Sequence, residues 1–165
     1  MDLESKATKR VIASPCDFGA KNLVLKGEWS IYSDPRLIDE VIGQVIGFAV
    51  RTHSADTLEK IDLALHEALV NAIVHGSRSD PSKSVHIRLG MTEDGSLLLT
   101  VKDTGAGFDP TQVPLPLGNR LTLSHGRGLF IIRELMDEVT FSFENGTEIR
   151  MSLRPSTNDV SSMTT

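Results

Sequence analysis

The sequence has almost no cysteine and no long hydrophobic run. Cys16 is the single cysteine among 165 residues, which excludes an internal disulfide. The N-terminal segment MDLESKATKR lacks the apolar stretch of a secretory signal, and no window approaches the roughly 18 consecutive apolar residues of a membrane span. We therefore expect a soluble protein of the reducing cytoplasm that has no membrane partner.

An excess of positive charge is also missing. The chain has 17 Lys and Arg against 22 Asp and Glu, which gives a net charge of -5 at pH 7. No global positive field would draw a phosphate backbone to this protein. We expect no direct role for nucleic acid.

The composition of the chain indicates a single folded domain. Apolar residues make up 39% of the chain, enough for a sizeable core, and no internal repeat occurs. Both ends are polar and rich in small residues. We predict a flexible N-terminal tail over residues 1–20, a folded domain over 21–154 and a flexible C-terminal tail over 155–165.

Hydrophobic periodicity and turn residues predict the order strand, helix, helix, hairpin, long loop, helix, hairpin. The predicted elements are a strand over 22–30, a helix from Asp34-Pro35 to about His53, a helix from Ser54 to Gly76, strands over 85–91 and 96–102, a loop over 103–125, a helix over 126–137 and a hairpin turning at Asn145-Gly146. This order predicts an α+β fold. We expect a two-layer α/β sandwich with a mainly antiparallel mixed sheet, covered on one face by three helices.

The second predicted helix carries a polar ridge. Glu67, Asn71 and His75 stand four residues apart on a surface that is otherwise mostly apolar. A carboxylate and an amide bordered by apolar residues need partners, and bound Mg²⁺ with a polyphosphate would supply them. The alternative is that Glu67 and Asn71 form an ordinary solvated pair.

Three glycine-containing motifs follow. Asp103-Thr104-Gly105-Ala106-Gly107-Phe108 ends a strand, where glycines allow a close ligand and a carboxylate can accept from a base amino group. His125-Gly126-Arg127-Gly128-Leu129 opens a helix, whose free N–H groups suit an anion. Gly146-Thr147 lies in the last hairpin. Taken alone, the first and last of these motifs are more typical of an ordinary turn, and the helix entry is as consistent with an ordinary flexible start.

Familiar alternatives fail on spacing. There is no G-x-x-x-x-G-K-[ST] phosphate loop and no G-x-S-x-G nucleophile turn. Both G-x-G runs lack the third glycine of a dinucleotide fingerprint, and His66-Glu67 lacks the second histidine of a zinc protease helix.

The ordered set E-x-x-x-N, D-x-G-x-G, G-x-G and G-T resembles the signature of the GHKL ATP-binding superfamily. Within it, the chain resembles the anti-sigma factor serine/threonine kinases of the RsbW and SpoIIAB type, from about Leu23 to Leu153. The segments HEALVNAIVHG, VKDTGAGFDP, GRGLFIIRELMDEV and NGTEIRM carry this resemblance. It implies the Bergerat fold, with ATP and Mg²⁺ as cofactors.

The resemblance also implies residue roles. Asn71 would bind Mg²⁺, Glu67 would be the general base, and Asp103 would hold the adenine amino group with Thr147 nearby. Gly105 and Gly107 would shape the adenine side, while Gly126, Arg127 and Gly128 would wrap the phosphates. The resemblance leaves three surroundings open for the Arg127 side chain: a phosphate, a partner protein or solvent. The full set expected to bind nucleotide is Asn71, His75, Asp103, Gly105, Gly107, Phe108, Gly126, Arg127, Gly128, Leu129 and Thr147.

The partners that the resemblance implies are a sigma factor and a STAS-domain anti-anti-sigma factor, with a homodimer as the usual assembly. Two functions follow. One is a protein serine/threonine kinase that regulates a partner-switching pathway, and the other is a non-catalytic ATP-binding switch that sequesters a partner.

Overall fold

Five strands form one sheet in the order β1-β2-β3-β5-β4, and each neighbouring pair is antiparallel. The structure is a computed structural model that describes residues 23–106, 124–157 and 159. The strands are β1 (Leu23–Tyr32), β2 (Ser84–Thr92), β3 (Leu97–Asp103), β4 (Glu138–Ser142) and β5 (Glu148–Leu153). The helices are α1 (Ile38–Ala49), α2 (Ala55–Val70) and α3 (Ser124–Leu135).

Alternate residues of the strands face the helices and form the core. Ile31, Ile87, Leu99 and Ile149 are each at most 2% exposed, while their strand neighbours are mainly polar. This period of two gives the sheet one apolar face, against which the apolar sides of α1, α2 and α3 pack. The predicted α+β sandwich is confirmed.

The start of α1 follows from its cap. Asp34 Oδ1 accepts a hydrogen bond of 2.9 Å from the backbone N–H of Arg36, and Pro35 opens a short 3₁₀ turn over Pro35–Leu37. The helix ends at Ala49, before the predicted His53. The Ala49 carbonyl accepts from the Thr52 N–H over 3.0 Å and from the Thr52 hydroxyl over 3.1 Å, so a tighter turn closes the helix there.

The second predicted helix is present but changes form near its end. Ser54 caps α2, which is α-helical to Val70, and a π-helical turn then covers Asn71–Gly76. The N–H of Ser77 donates to the carbonyl of Ala72, five residues earlier, over 2.8 Å. Such turns concentrate at functional sites, and periodicity gave no sign of this one.

The last hairpin turns where expected. Asn145 and Gly146 have φ values of 56° and 104°, the left-handed conformation that these two residue types adopt most readily. The connection between β4 and β5 spans residues 143–147 and is therefore longer than the two-residue turn that Asn-Gly favours. Most of the predicted 103–125 loop, residues 107–123, lies outside the described residues.

Asp159 ties the C-terminal segment to the start of α2. Its carboxylate accepts from the Ser54 N–H at 2.5 Å, the Thr57 hydroxyl at 2.8 Å and the Ser156 N–H at 2.9 Å. Asp159 is 2% exposed. Packing therefore extends beyond the predicted domain boundary at residue 154, whereas the boundary at residue 20 lies outside the described residues and stays a prediction.

We expect Asp159→Asn to lower the free energy of unfolding by about 1–3 kcal/mol, because an amide cannot accept at both former oxygens. Burial opposes ionisation of Asp159, but the hydrogen bonds from Ser54, Ser156 and Thr57 outweigh it and lower the pKa. The contribution is thus complete above the unfolded pKa, about 3.9, and is lost as pH falls towards the folded pKa.

Chemical denaturation of wild type and Asp159→Asn between pH 3 and 8 measures this difference. The control is Asp56→Asn in the first turn of the same helix, whose exposed ion pair with Lys60 is worth about 0–1 kcal/mol. A difference that stayed constant from pH 8 to pH 3, or equal losses in both variants, would contradict the assignment.

Candidate functional site

The polar ridge predicted on the second helix lies where α2 passes into the π-helical turn. Asn71 is 3% exposed, and its side-chain Nδ2 has no hydrogen-bond partner among the described residues. Glu67 and His75 are half-buried. An unpaired buried amide is costly, so Asn71 is not one half of a solvated pair and its side chain is available to a ligand.

Asp103, at the end of β3, is fully buried and held by backbone donors. Its Oδ1 accepts from the Gly105 N–H at 2.9 Å, and its Oδ2 accepts from the Thr147 N–H at 3.2 Å. The Asp103 N–H donates in turn to the Thr147 carbonyl at 3.0 Å. The second and fourth motifs of the sequence therefore meet at one carboxylate.

Three glycines surround that carboxylate. A Cβ built on Gly76 would lie 2.5 Å from Asp103 Cγ, and one on Gly146 would lie 3.1 Å from Asp103 Oδ1. One on Gly105 would lie 2.8 Å from both the Gly76 carbonyl carbon and Ser77 Cα. The contacts of Gly76 and Gly105 require glycine, since real Cβ contacts are not this short, and the positive φ of Gly146, 104°, favours glycine there.

The electrostatics of Asp103 favour a ligand that donates hydrogen bonds. Burial raises the pKa of the carboxyl, while hydrogen bonds from the N–H groups of Gly105, Thr147 and Asp103 itself act in the opposite direction. A carboxylate has four lone-pair positions, and the two donors from Gly105 and Thr147 leave acceptor capacity. An amino group of a planar base suits that remaining capacity.

The third motif brings α3 against α2. A Cβ built on Gly128 would lie 2.5 Å from Glu67 Oε2, so the carboxylate lies directly over this glycine. Leu129 is 4% exposed and packs in the core, whereas Arg127 is exposed. Gly126 lies in the first turn of α3. Gly107 and Phe108 fall outside the described residues, so their predicted roles stay predictions.

Two residues of the site were not predicted as such. The sequence indicated Gly76 only as a helix stop, although it makes room for Asp103. Ser77 is 4% exposed, and its Oγ has no partner among the residues that the structure describes. A glycine just after a functional helical ridge was the available signal for Gly76, and nothing in the sequence distinguished Ser77.

The groups form a continuous arrangement along one helix. From Glu67, beside Gly128, to Gly76, beside Asp103, the chain advances nine residues, which is about 13 Å along a helix axis. The buried Asp103 carboxylate therefore lies at one end, and the Glu67 carboxylate lies at the other with the unpaired Nδ2 of Asn71. Fold and site together define a nucleotide-binding α/β sandwich.

Comparisons with known proteins agree with that class. Residues 33–153 match the model of the histidine kinase-like ATPase domain. The serine-protein kinase RsbW of Bacillus subtilis is 31% identical over 134 residues, covering 76% of this chain and 82% of that protein. The anti-sigma F factor of a Geobacillus strain is 36% identical over 92 residues, covering 54% of this chain and 62% of that protein.

Solved structures show the same fold. The RsbU and RsbW domains of a Mycobacterium tuberculosis protein align with a TM-score of 0.57 at 16% identity, covering 78% of this chain and 32% of that one. A histidine kinase domain from Erythrobacter litoralis aligns with a TM-score of 0.50 at 19% identity, covering 86% of this chain and 66% of that one. The chain belongs to the histidine kinase-like ATPase family of the GHKL superfamily, among its anti-sigma kinases.

No helix in the described part of the chain has the length and apolar character needed to cross a bilayer. Within those same residues, no three His, Cys, Asp or Glu side chains cluster as a metal site.

Proposed function

We propose that this protein is a Mg-ATP-dependent serine/threonine-protein kinase that phosphorylates a hydroxyl of a partner protein in an anti-sigma partner-switching pathway. The observation that carries the proposal is the buried side chain of Asn71, whose Nδ2 has no partner among the described residues, one helical turn after Glu67. The names of the RsbW and anti-sigma F relatives support the same activity.

At the base end, Asp103 accepts a hydrogen bond from the adenine amino group. Its orientation is fixed because Gly105 and Thr147 already donate to separate oxygens. Gly76, Gly105 and Gly146 allow the neighbouring backbone segments to pack tightly around Asp103. A pocket of this kind excludes water from the base and selects for a ligand that donates at this position.

At the phosphate end, the residues fit a magnesium ion. Asn71 is buried, its unpaired Nδ2 can donate to a phosphate oxygen, and its amide oxygen is a ligand that Mg²⁺ accepts together with phosphate oxygens and water. When bound, the ion neutralises charge on the phosphates of ATP. Gly126 and Arg127 lie in the first turn of α3, where backbone N–H groups have no partner within the helix and would suit an anion, whereas Gly128 is the fifth helical residue and its N–H bonds within the helix.

Glu67 acts on the attacking group. The hydroxyl oxygen of a partner Ser or Thr forms a bond to the γ-phosphorus, the bond from that phosphorus to the bridging oxygen breaks, and ADP leaves with the electron pair. The hydroxyl proton passes to the Glu67 carboxylate. Most of the catalysis comes from positioning these groups.

The identities of the partner proteins follow from the family. The phosphorylated protein is a STAS-domain anti-anti-sigma factor, and the competing partner is a sigma factor, held by a cytoplasmic homodimer. The names of the anti-sigma F relatives support the sigma factor. The STAS partner and the dimer rest on the resemblance described above.

Thermal unfolding with and without Mg-ATP tests the site. At about 100 times its dissociation constant, a ligand adds roughly 2.7 kcal/mol, which raises Tm by about 5 to 10 °C for a domain of this size. We expect this rise in wild type, and a smaller one in Asn71→Ala or when EDTA removes the magnesium.

The control for Asn71→Ala is Asp62→Ala, at an exposed position of α2, which should keep the full rise. No rise for wild type at millimolar ATP would overturn the nucleotide site. A full rise in Asn71→Ala would remove Asn71 from magnesium binding.

A further inference from the structure

The space beside Gly128 is taken by a flexible side chain. A Cβ there would meet Glu67 Oε2 at 2.5 Å, with Glu67 Cδ next at 3.5 Å and Glu67 Cβ at 3.7 Å. All three atoms belong to one flexible side chain, and the carboxylate oxygen alone is too close. At Gly76, Gly105 and Gly146 the obstacles are backbone atoms or the buried Asp103.

The backbone gives no other reason for glycine at this position. Gly128 is the fifth residue of α3, and it is absent from the described residues with positive φ, which include Gly95 and Gly146. Alanine fits helical backbone and favours it, because glycine in a helix interior loses more conformational entropy on folding. Glycine here therefore costs helix stability, and the contact it permits is with Glu67.

We propose that Gly128 is a positioning residue that seats the Glu67 carboxylate against the beginning of α3. Without a side chain at residue 128, the carboxylate lies directly on the helix that also presents Gly126 and Arg127 to the phosphates. The contact thereby fixes the position of the general base relative to the phosphate-binding start of α3. This inference rests on the proposed role of Glu67.

A methyl group at residue 128 would push the carboxylate aside and leave the backbone in place. Since the displaced group is the free end of a side chain, the fold absorbs the change easily. Misplacing a catalytic group by about an ångström can reduce a rate by about 10²-fold. If Gly128 has this role, the Gly128→Ala variant should be as stable as wild type and bind ATP normally, but it should transfer phosphate poorly.

The test is Gly128→Ala in the full chain, measured by Tm, by the Kd for Mg-ATP and by kcat and KM for phosphate transfer to the cognate partner protein. We expect Tm to be unchanged or higher by about 1 to 4 °C, Kd to change less than about twofold, and kcat to fall by at least about tenfold. The matched control is Gly47→Ala in α1, where a Cβ meets nothing within 4 Å, and which should keep kcat.

A double-mutant cycle separates positioning from phosphate binding. In a Glu67→Gln background, adding Gly128→Ala should lower the residual rate by less than about twofold, because no general base remains to be misplaced. A full kcat in Gly128→Ala, a tenfold rise in Kd with kcat retained, or additive losses in the cycle would each overturn the inference. If Glu67→Gln alone keeps full activity, the proposed function of Glu67 fails instead.

Discussion

Phosphate transfer falls by about 10²- to 10⁴-fold in Glu67→Gln, while the protein still folds and binds Mg-ATP. The substitution keeps the size of the side chain and removes its ability to take a proton. Glu67 is half-buried, and its carboxylate lies over Gly128, so glutamine can occupy the same space without opening a cavity. The loss should appear in kcat, because the general base acts in the transition state and adds little to ground-state binding.

Single-turnover transfer of labelled phosphate from ATP to the purified partner measures this effect. Glu59→Gln is the control, since Glu59 is an exposed acid two helical turns earlier on α2. Full activity in Glu67→Gln would exclude Glu67 as the base. Wild-type protein that binds ATP and its partner but transfers no phosphate to any STAS-domain protein would favour the non-catalytic switch.

Much of the fold could be predicted because its local signals agree with one another. Asp34-Pro35 and Ser54 cap the helices at the expected places, and Asn145-Gly146 takes the left-handed turn that its residue types indicate. The segments 85–91 and 96–102 were predicted as strands, and they form β2 and β3. Each of these features depends on neighbours within a few residues.

The features that escaped prediction depend on contacts between distant segments. Asp159 caps a helix that begins more than 100 residues earlier, which no local pattern in a polar tail can reveal. The π-helical turn at Asn71–Gly76 places Gly76 beside Asp103, and its sequence resembles an ordinary helix end. The motifs identified the candidate site residues. The contact between Glu67 and Gly128, however, could be seen only from the packing of α2 on α3.

Affinity for ATP falls by about 10- to 100-fold in Asp103→Asn, because the base loses its charged acceptor. The two carboxylate oxygens each accept from a different backbone donor, Gly105 and Thr147. An amide offers one oxygen, so in either orientation its NH₂ faces one of these N–H groups. We expect this conflict to misplace the group that reads the base.

The fold itself should tolerate the change better than the ligand does. Burial raises the pKa of Asp103, so ionisation of this carboxyl lowers the stability of the folded state at neutral pH. The neutral amide avoids that cost and offsets part of the lost hydrogen bonding. As pH falls through the raised pKa of the folded state, wild type should gain stability relative to Asp103→Asn, until the unfolded pKa of about 3.9 is reached.

Isothermal titration with ATP and GTP decides whether Asp103 reads the base. Guanine presents a carbonyl where adenine presents an amino group, so the wild-type carboxylate should reject GTP, and the amide of Asp103→Asn can donate to that carbonyl. The ratio of the Kd for GTP to the Kd for ATP should therefore fall in Asp103→Asn and stay unchanged in Asp62→Asn, at an exposed position of α2. Because a general loosening of the site would weaken both nucleotides alike, a constant ratio would show that base selection lies elsewhere.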